Sequence, residues 1–188
     1  ILLVVPSQVA RLVLKELADA RPSPETIIVS CTKGLDPKTG ELMHELIAEF
    51  FPDNPIAVLS GPSHAEEVAA RMATLATIGS EDSGVAARVQ EVFTLPWFRT
   101  YTSDDIVGIE LGSVVKNIFA IAAGAADGLG LGDNAKAALV TRGLAEMTRL
   151  GVAIGGKEET FRGLSGIGDL IVTCYSLHSR NNRVGRML

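Results

Sequence analysis

A chain of 188 residues, 47% hydrophobic and 21% charged, can bury a substantial core and is not a disordered segment. Its formal net charge of -5 leaves no basic footprint for nucleic acid, so any basic cluster reads as a local small-anion site. Cys31 and Cys174 lie far apart, His44, His64 and His178 are equally scattered, and none of them shows metal-ligand spacing.

Taken in chain order, the first hundred residues alternate by type. The runs "ILLVV" (1–5), "TIIVSC" (26–31), "IAVLS" (56–60), "TLATIGS" (74–80) and "FRTYTS" (98–103) predict short buried strands. Helical patterns fall between them at 7–19, 40–50, 63–72 and 83–95. Strand, helix, strand at this spacing predicts a parallel α/β sheet. From about residue 105 the strand signal stops. Helices are predicted over 105–128, 133–150 and 169–188, with Gly-rich joints at 128–132 and 163–168. The organisation is therefore α/β followed by all-α, with a cleft between the two parts. No uninterrupted apolar run reaches the roughly 18 residues of a membrane span. "ILLVV" reads as a strand from its first residue and "RVGRML" as the middle of a helix, so both ends are expected to lie inside domains. Two lone cysteines suit a reducing, cytoplasmic setting.

Ligands of an open parallel sheet collect at the carboxyl ends of its strands. Lys33 of "CTKGL" is placed there to reach an anion, its plain alternative being a solvated turn lysine. Ser63 of "SGPSHAEE" reads as the start of a helix, either receiving an anion or acting as an ordinary N-cap. "GLGDNA" (130–135) and "GIGDLI" (166–171) do not qualify as dinucleotide loops. The first follows a helix rather than a strand, and the second fails in the same way.

The second half holds the sharper signal. Lys116 stands in a helix of Gly, Ala, Ile and Val, on one face with Gly112, Ser113, Phe119 and Ala120. Burial there would lower its pKa and suit it to proton transfer, whereas snorkelling to the surface is the plain alternative. Asp169 and Thr173, four residues apart, share a helical face. "SRNNR" (179–183) follows, with Arg180 offering a planar fork matched to phosphate and Ser179 and Asn181 adding neutral groups.

Together "VVPSQ", "TKGL", "SGPSHAEEVA", "ELGSVVKNIFAIAAGAADGLGLGDNAKAALVTRG" and "GLSGIGDLIVTCYSLHSRNNRVGR" resemble the NAD(P)-dependent glycerol-3-phosphate dehydrogenases, across essentially the whole chain. The resemblance implies a Rossmann-like dinucleotide-binding part at 1–103 and a helical substrate part at 104–188, both incomplete. It implies Lys116 as catalytic acid/base and Asp169 as its acidic partner. Substrate contacts are implied for Lys33, Gly61, Ser63, Asn117, Thr173, Ser179, Arg180 and Asn181, and cofactor contacts for Lys33, Ala65 and Arg180. NAD or NADP would be the cofactor, the choice left open because the Gly-rich phosphate loop is absent. A phosphorylated small molecule would be the substrate, with glycerol 3-phosphate passing to glycerophospholipid synthesis in the cytoplasm, and a homodimer is inherited from the family. The alternatives are a β-hydroxyacid dehydrogenase of the same two-part plan, acting on a carboxylate, and a non-catalytic nucleotide-binding relative.

Overall fold

The computed structural model describes residues 1–188. Five strands, β1 (Leu2–Leu3), β2 (Ile28–Ser30), β3 (Ile56–Ser60), β4 (Thr74–Gly79) and β5 (Phe98–Ser103), form one sheet in that order. The pairs β1–β2, β2–β3 and β4–β5 are parallel. Each is joined by a helical crossover: α1 (Ser7–Asp19), α2 (Met43–Phe50) and α4 (Ser83–Phe93) respectively. Ala10 and Leu14 of α1 and Met43, Leu46 and Ile47 of α2 pack with Leu3 and Ile28. Ala86 and Val89 of α4 pack with Val29, Ala57 and Ile78. Ile28 and Val29 thus serve different core clusters, as strand alternation requires.

The expectation of a wholly parallel sheet fails at one place. β4 runs antiparallel to β3, with Val58 opposite Gly79 and Ser60 opposite Thr77. The connection between them holds only the five-residue α3 (Ala65–Ala69). That is roughly 7 Å of helix, too short to carry the chain back along a strand of roughly 17 Å, so β4 returns beside β3 instead.

The rest is helical: α5 (Ile106–Gly128), α6 (Gly132–Ala153), α7 (Glu158–Phe161), a π-turn at Leu164–Gly168, α8 (Asp169–Tyr175) and α9 (Arg180–Gly185). By length and mean hydropathy (1.7) α5 passes for a membrane span, yet 61% of that window is buried within the protein. It is the central helix, wrapped by α6, α8 and α9. Leu111, Val115, Ala120 and Ala123 pack there with Val140, Met147, Phe161, Leu170 and Cys174. Glu110, itself buried, fastens α5 to α2: it accepts from the His44 backbone N–H at 3.1 Å and lies 2.6 Å from His44 Nδ1.

Three of the departures from predicted helix extents have identifiable local causes, beside smaller shifts at the ends of α4 and α6. Predicted 40–50 begins at Met43, because "DPKTG" closes a turn in which Gly40 N–H donates to Asp36 O at 2.9 Å. Predicted 63–72 shrinks to Ala65–Ala69, and the chain then turns through Arg71 at φ 58. Predicted 169–188 breaks after Tyr175: Ser176 Oγ accepts from His178 N–H (3.1 Å), and Ser179 Oγ accepts from Asn182 N–H (3.2 Å) to cap a new helix. The short α7 lies in a stretch for which no element is predicted.

Candidate active site

Two of the predicted groups meet across 53 residues of sequence because α8 lies against the middle of α5. Lys116 on α5 and Asp169 at the first position of α8 form a buried ion pair, the residues being 4% and 1% exposed. Lys116 Nζ also donates to Thr173 Oγ1 at 2.9 Å, and Thr173 Oγ1 donates to the Asp169 carbonyl at 2.6 Å. Asp169 and Thr173 do share a helical face, and Lys116 does not snorkel. Small residues permit this approach: Gly112, one turn before Lys116, lies against the Ser165 backbone of the π-turn.

A third charge arrives from the sheet. Lys33, in the turn after β2, donates to Asp169 Oδ2 at 3.0 Å and reaches the Gly61 carbonyl at 3.5 Å. Its turn is held by Thr32 Oγ1 donating to Val5 O (2.9 Å). One buried carboxylate therefore faces two ammonium groups. Burial lowers the pKa of Lys116 first, the Lys33 charge lowers it further, and Asp169 offsets part of this, leaving it at about 8. Lys33→Met is expected to raise that pKa, since it removes a like charge and leaves Asp169 wholly to Lys116. A carbon-13 NMR titration of the Lys116 ε-carbon in the variant reads the sign directly; an unchanged or lower value contradicts it.

The remaining predicted residues surround this cluster unequally. Gly61 has φ +147, and a Cβ there would sit 3.1 Å from both Ala76 Cα and Leu75 O, so the turn needs glycine on both counts. Ser63 does not begin a helix. It donates to Gly61 O at 3.2 Å, and α3 starts only at Ala65, which is exposed. Asn117 and Asn181 pair, Asn181 Nδ2 donating to Asn117 Oδ1 at 2.7 Å, which ties α9 to α5 beside Lys116. Ser179 is buried as the cap of α9, while Arg180 is exposed and makes no ion pair within the chain.

The salt bridge from Lys33 to Asp169, 136 residues apart, was not legible from spacing. Nor was His64, whose ring lies 5.9 Å from that of His178 between the Ser63 and Ser179 segments, with Nε2 buried and unpartnered. Its only sequence signal is a titratable residue inside the polar turn "GPSHAEE".

What the arrangement can do is hold one proton at Lys116 Nζ near neutral pH, with the part-exposed Lys33 ammonium on the far side of Asp169 able to meet an anion. Comparisons bear on which anion. Residues 1–86 match the family of the NAD-dependent glycerol-3-phosphate dehydrogenase N-terminus, and residues 105–188 that of its C-terminus. The chain is 51% identical over 188 residues to a Clostridium botulinum protein and 53% identical over 191 residues to one from Bacillus cereus, each named glycerol-3-phosphate dehydrogenase, NAD(P)+. In both cases all of this chain is covered and 56% of the relative. The crystal structure of glycerol-3-phosphate dehydrogenase from Coxiella burnetii superposes with a TM-score of 0.94 at 44% identity, covering 100% of this chain and 58% of that one. A Plasmodium falciparum glycerol-3-phosphate dehydrogenase gives 0.91 at 28%, covering 99% and 52%. The chain thus spans little more than half the length of these relatives. With matches to both halves of one family over most of its residues, it belongs to the NAD-dependent glycerol-3-phosphate dehydrogenases.

Proposed function

We propose that the protein containing this chain interconverts sn-glycerol 3-phosphate and dihydroxyacetone phosphate with NAD or NADP, Lys116 being the proton donor and acceptor. The observation that carries the reading is the buried Lys116–Asp169 pair with Lys33 on its far side, which holds an ammonium of pKa about 8 where the helices meet the turn after β2. In this reading Asp169 and Thr173 fix the Nζ. Arg180 grips the phosphate, and Lys33, Gly61, Ser63, Asn117, Ser179 and Asn181 position the rest of the substrate. Residues 1–103 are the cofactor part and 104–188 the substrate part. The enzyme would work in the cytoplasm, as a homodimer, and supply glycerophospholipid synthesis.

The cofactor side has a physical basis in this chain. Lys33, Gly61 and Ser63 lie on turns at the carboxyl ends of β2 and β3, Ala65 opens α3 just beyond, and two polar atoms there, Ser60 Oγ and His64 Nε2, are buried without partners. A nicotinamide held by Lys33, Ala65 and Arg180 would supply the hydride. The chain's own task is then to orient the carbonyl and deliver a proton from Lys116 Nζ to its oxygen. Reduction needs protonated Lys116, so kcat in that direction is expected to fall as pH rises through about 8, and oxidation to gain over the same range.

The experiment is NADH and NADPH oxidation by the full-length protein with dihydroxyacetone phosphate, set against a β-hydroxyacid-type carboxylate substrate. Turnover on the phosphate alone supports the reading. Preference for the carboxylate transfers it to the hydroxyacid class, and cofactor binding without turnover to the non-catalytic one. Arg180→Ala is expected to raise KM for dihydroxyacetone phosphate by roughly tenfold or more, the loss of a charge-assisted contact, with little change in kcat. An equal effect on unphosphorylated dihydroxyacetone removes Arg180 from the phosphate.

A further inference from the structure

A second site, a cleft that the proposed chemistry does not use, lies beside the π-turn. A cavity of about 410 Å³ opens between β4–β5 and the segment running from α7 into the π-turn, lined by Leu75, Thr77, Tyr101, Thr160, Leu164 and Ser165 among others. Thr77 and Tyr101 are directly opposed in the parallel pair, so their side chains share one sheet face. None of Lys33, Lys116, Asp169 or Arg180 reaches it.

The lining specifies a chemistry. Hydroxyls of Thr, Ser and Tyr dominate its polar groups, each able to donate and accept, while Leu75, Leu164 and the Tyr101 ring supply apolar walls. Glu159 is the only charged residue lining it, and no cation is present, which disfavours an anionic occupant such as a sugar phosphate. Ser165 is 2% exposed, yet its hydroxyl has no partner in the protein. A buried hydroxyl left in that state is costly unless something else completes it.

The same residue ties the cleft to the ion pair. Ser165 and Asp169 are four residues apart on one continuous turn, and their neighbours on α5, Gly112 and Lys116, are also four apart. A shift of the π-turn at Ser165 therefore carries Asp169 along Lys116.

We propose that this cleft binds a neutral, hydroxyl-bearing small molecule of sugar size, and that its occupation moves Asp169 through the π-turn. Binding stands apart from the dehydrogenase reading; only its consequence for turnover rests on that reading. The test titrates methyl β-D-glucopyranoside into the nitrogen-15-labelled full-length protein and follows amide shifts. The expected result is saturable binding, with movement at Thr77, Ser165 and Asp169, weakened at least about tenfold by Thr77→Phe, which fills the floor. Tyr101→Ala, at the exposed edge of the sheet, repeats the test without adding volume to the cleft. No saturable shifts up to the solubility of the sugar, or binding indifferent to both variants, overturns the site. Saturable binding that leaves the Asp169 amide unmoved overturns the coupling. No turnover enters this readout, so its failure and that of the dehydrogenase assay are separable.

Discussion

Lys116→Ala is expected to lower kcat for reduction of dihydroxyacetone phosphate by roughly 10²–10⁴-fold, the range that a positioned general acid contributes, with KM nearly unchanged. The argument is one of proton supply. No other side chain within hydrogen-bonding reach of Asp169 is so poised: Lys33 is one-third exposed, and Thr173 holds a hydroxyl proton of far weaker acidity. Phosphate contact is assigned to Arg180, which the substitution leaves in place. Folding should survive, although severing a buried ion pair costs about 3–5 kcal/mol when the remaining charge is stranded. Here it is not stranded, because Lys33 Nζ stays 3.0 Å from Asp169 Oδ2. The unfolding midpoint and single-turnover hydride transfer, measured on the same preparation, distinguish the cases. A folded variant that loses less than about tenfold in kcat would make Lys116 a packing residue and end its assignment as acid/base.

How much of this could be read from residues alone depended on range. Lys116 was legible as a candidate because an ammonium in a helix of Gly, Ala, Ile and Val stands out, but the pattern left snorkelling open, and only the structure decides for burial. Asp169 and Thr173 were legible because four-residue spacing is itself geometry. The Lys33 arm was half legible. Its turn at a strand end was visible, but its meeting with Asp169 depends on how the helical part lies on the sheet, which no local pattern encodes. The reversal of β4 turned on a helix only five residues long, and the apolar run "TLATIGS" reads the same in either direction. The break between α8 and α9 hid for a different reason. Helical periodicity persists across Ser176–Ser179, and only the side-chain hydrogen bonds of the two serines end one helix and start the next. The second cleft had no signature at all, since its walls come from two strands and a π-turn that stand far apart in the chain.

Gly112→Ala carries the second large expected effect, and it tests whether the ion pair is set by backbone packing rather than by the charges themselves. A Cβ on Gly112 would lie 2.4 Å from Ser165 O and 3.2 Å from Ser165 C, both backbone atoms that cannot rotate away. The π-turn can yield only by shifting its backbone, because on its other side Gly166 already lies against the backbone of Phe161, a fully buried residue. Overpacking of this kind costs about 1–3 kcal/mol, against about 1 kcal/mol gained from the better helix propensity of alanine. The net loss of stability is therefore modest, worth about 2–4 °C in Tm for each kcal/mol. Function should suffer more. The π-turn carries Asp169 one step further on, and a misplacement of about 1 Å at a reacting centre can cost 10²-fold. The expected result is a kcat lower by about that factor, a small fall in Tm and a pH profile displaced from that of the parent. Gly168→Ala is the control: its Cβ would meet only ordinary contacts, the nearest at 3.7 Å, although it stands next to Asp169. If Gly112→Ala matches the parent in both Tm and kcat, the close approach of α5 to the π-turn does not position Asp169, and the coupling proposed for the second cleft falls with it.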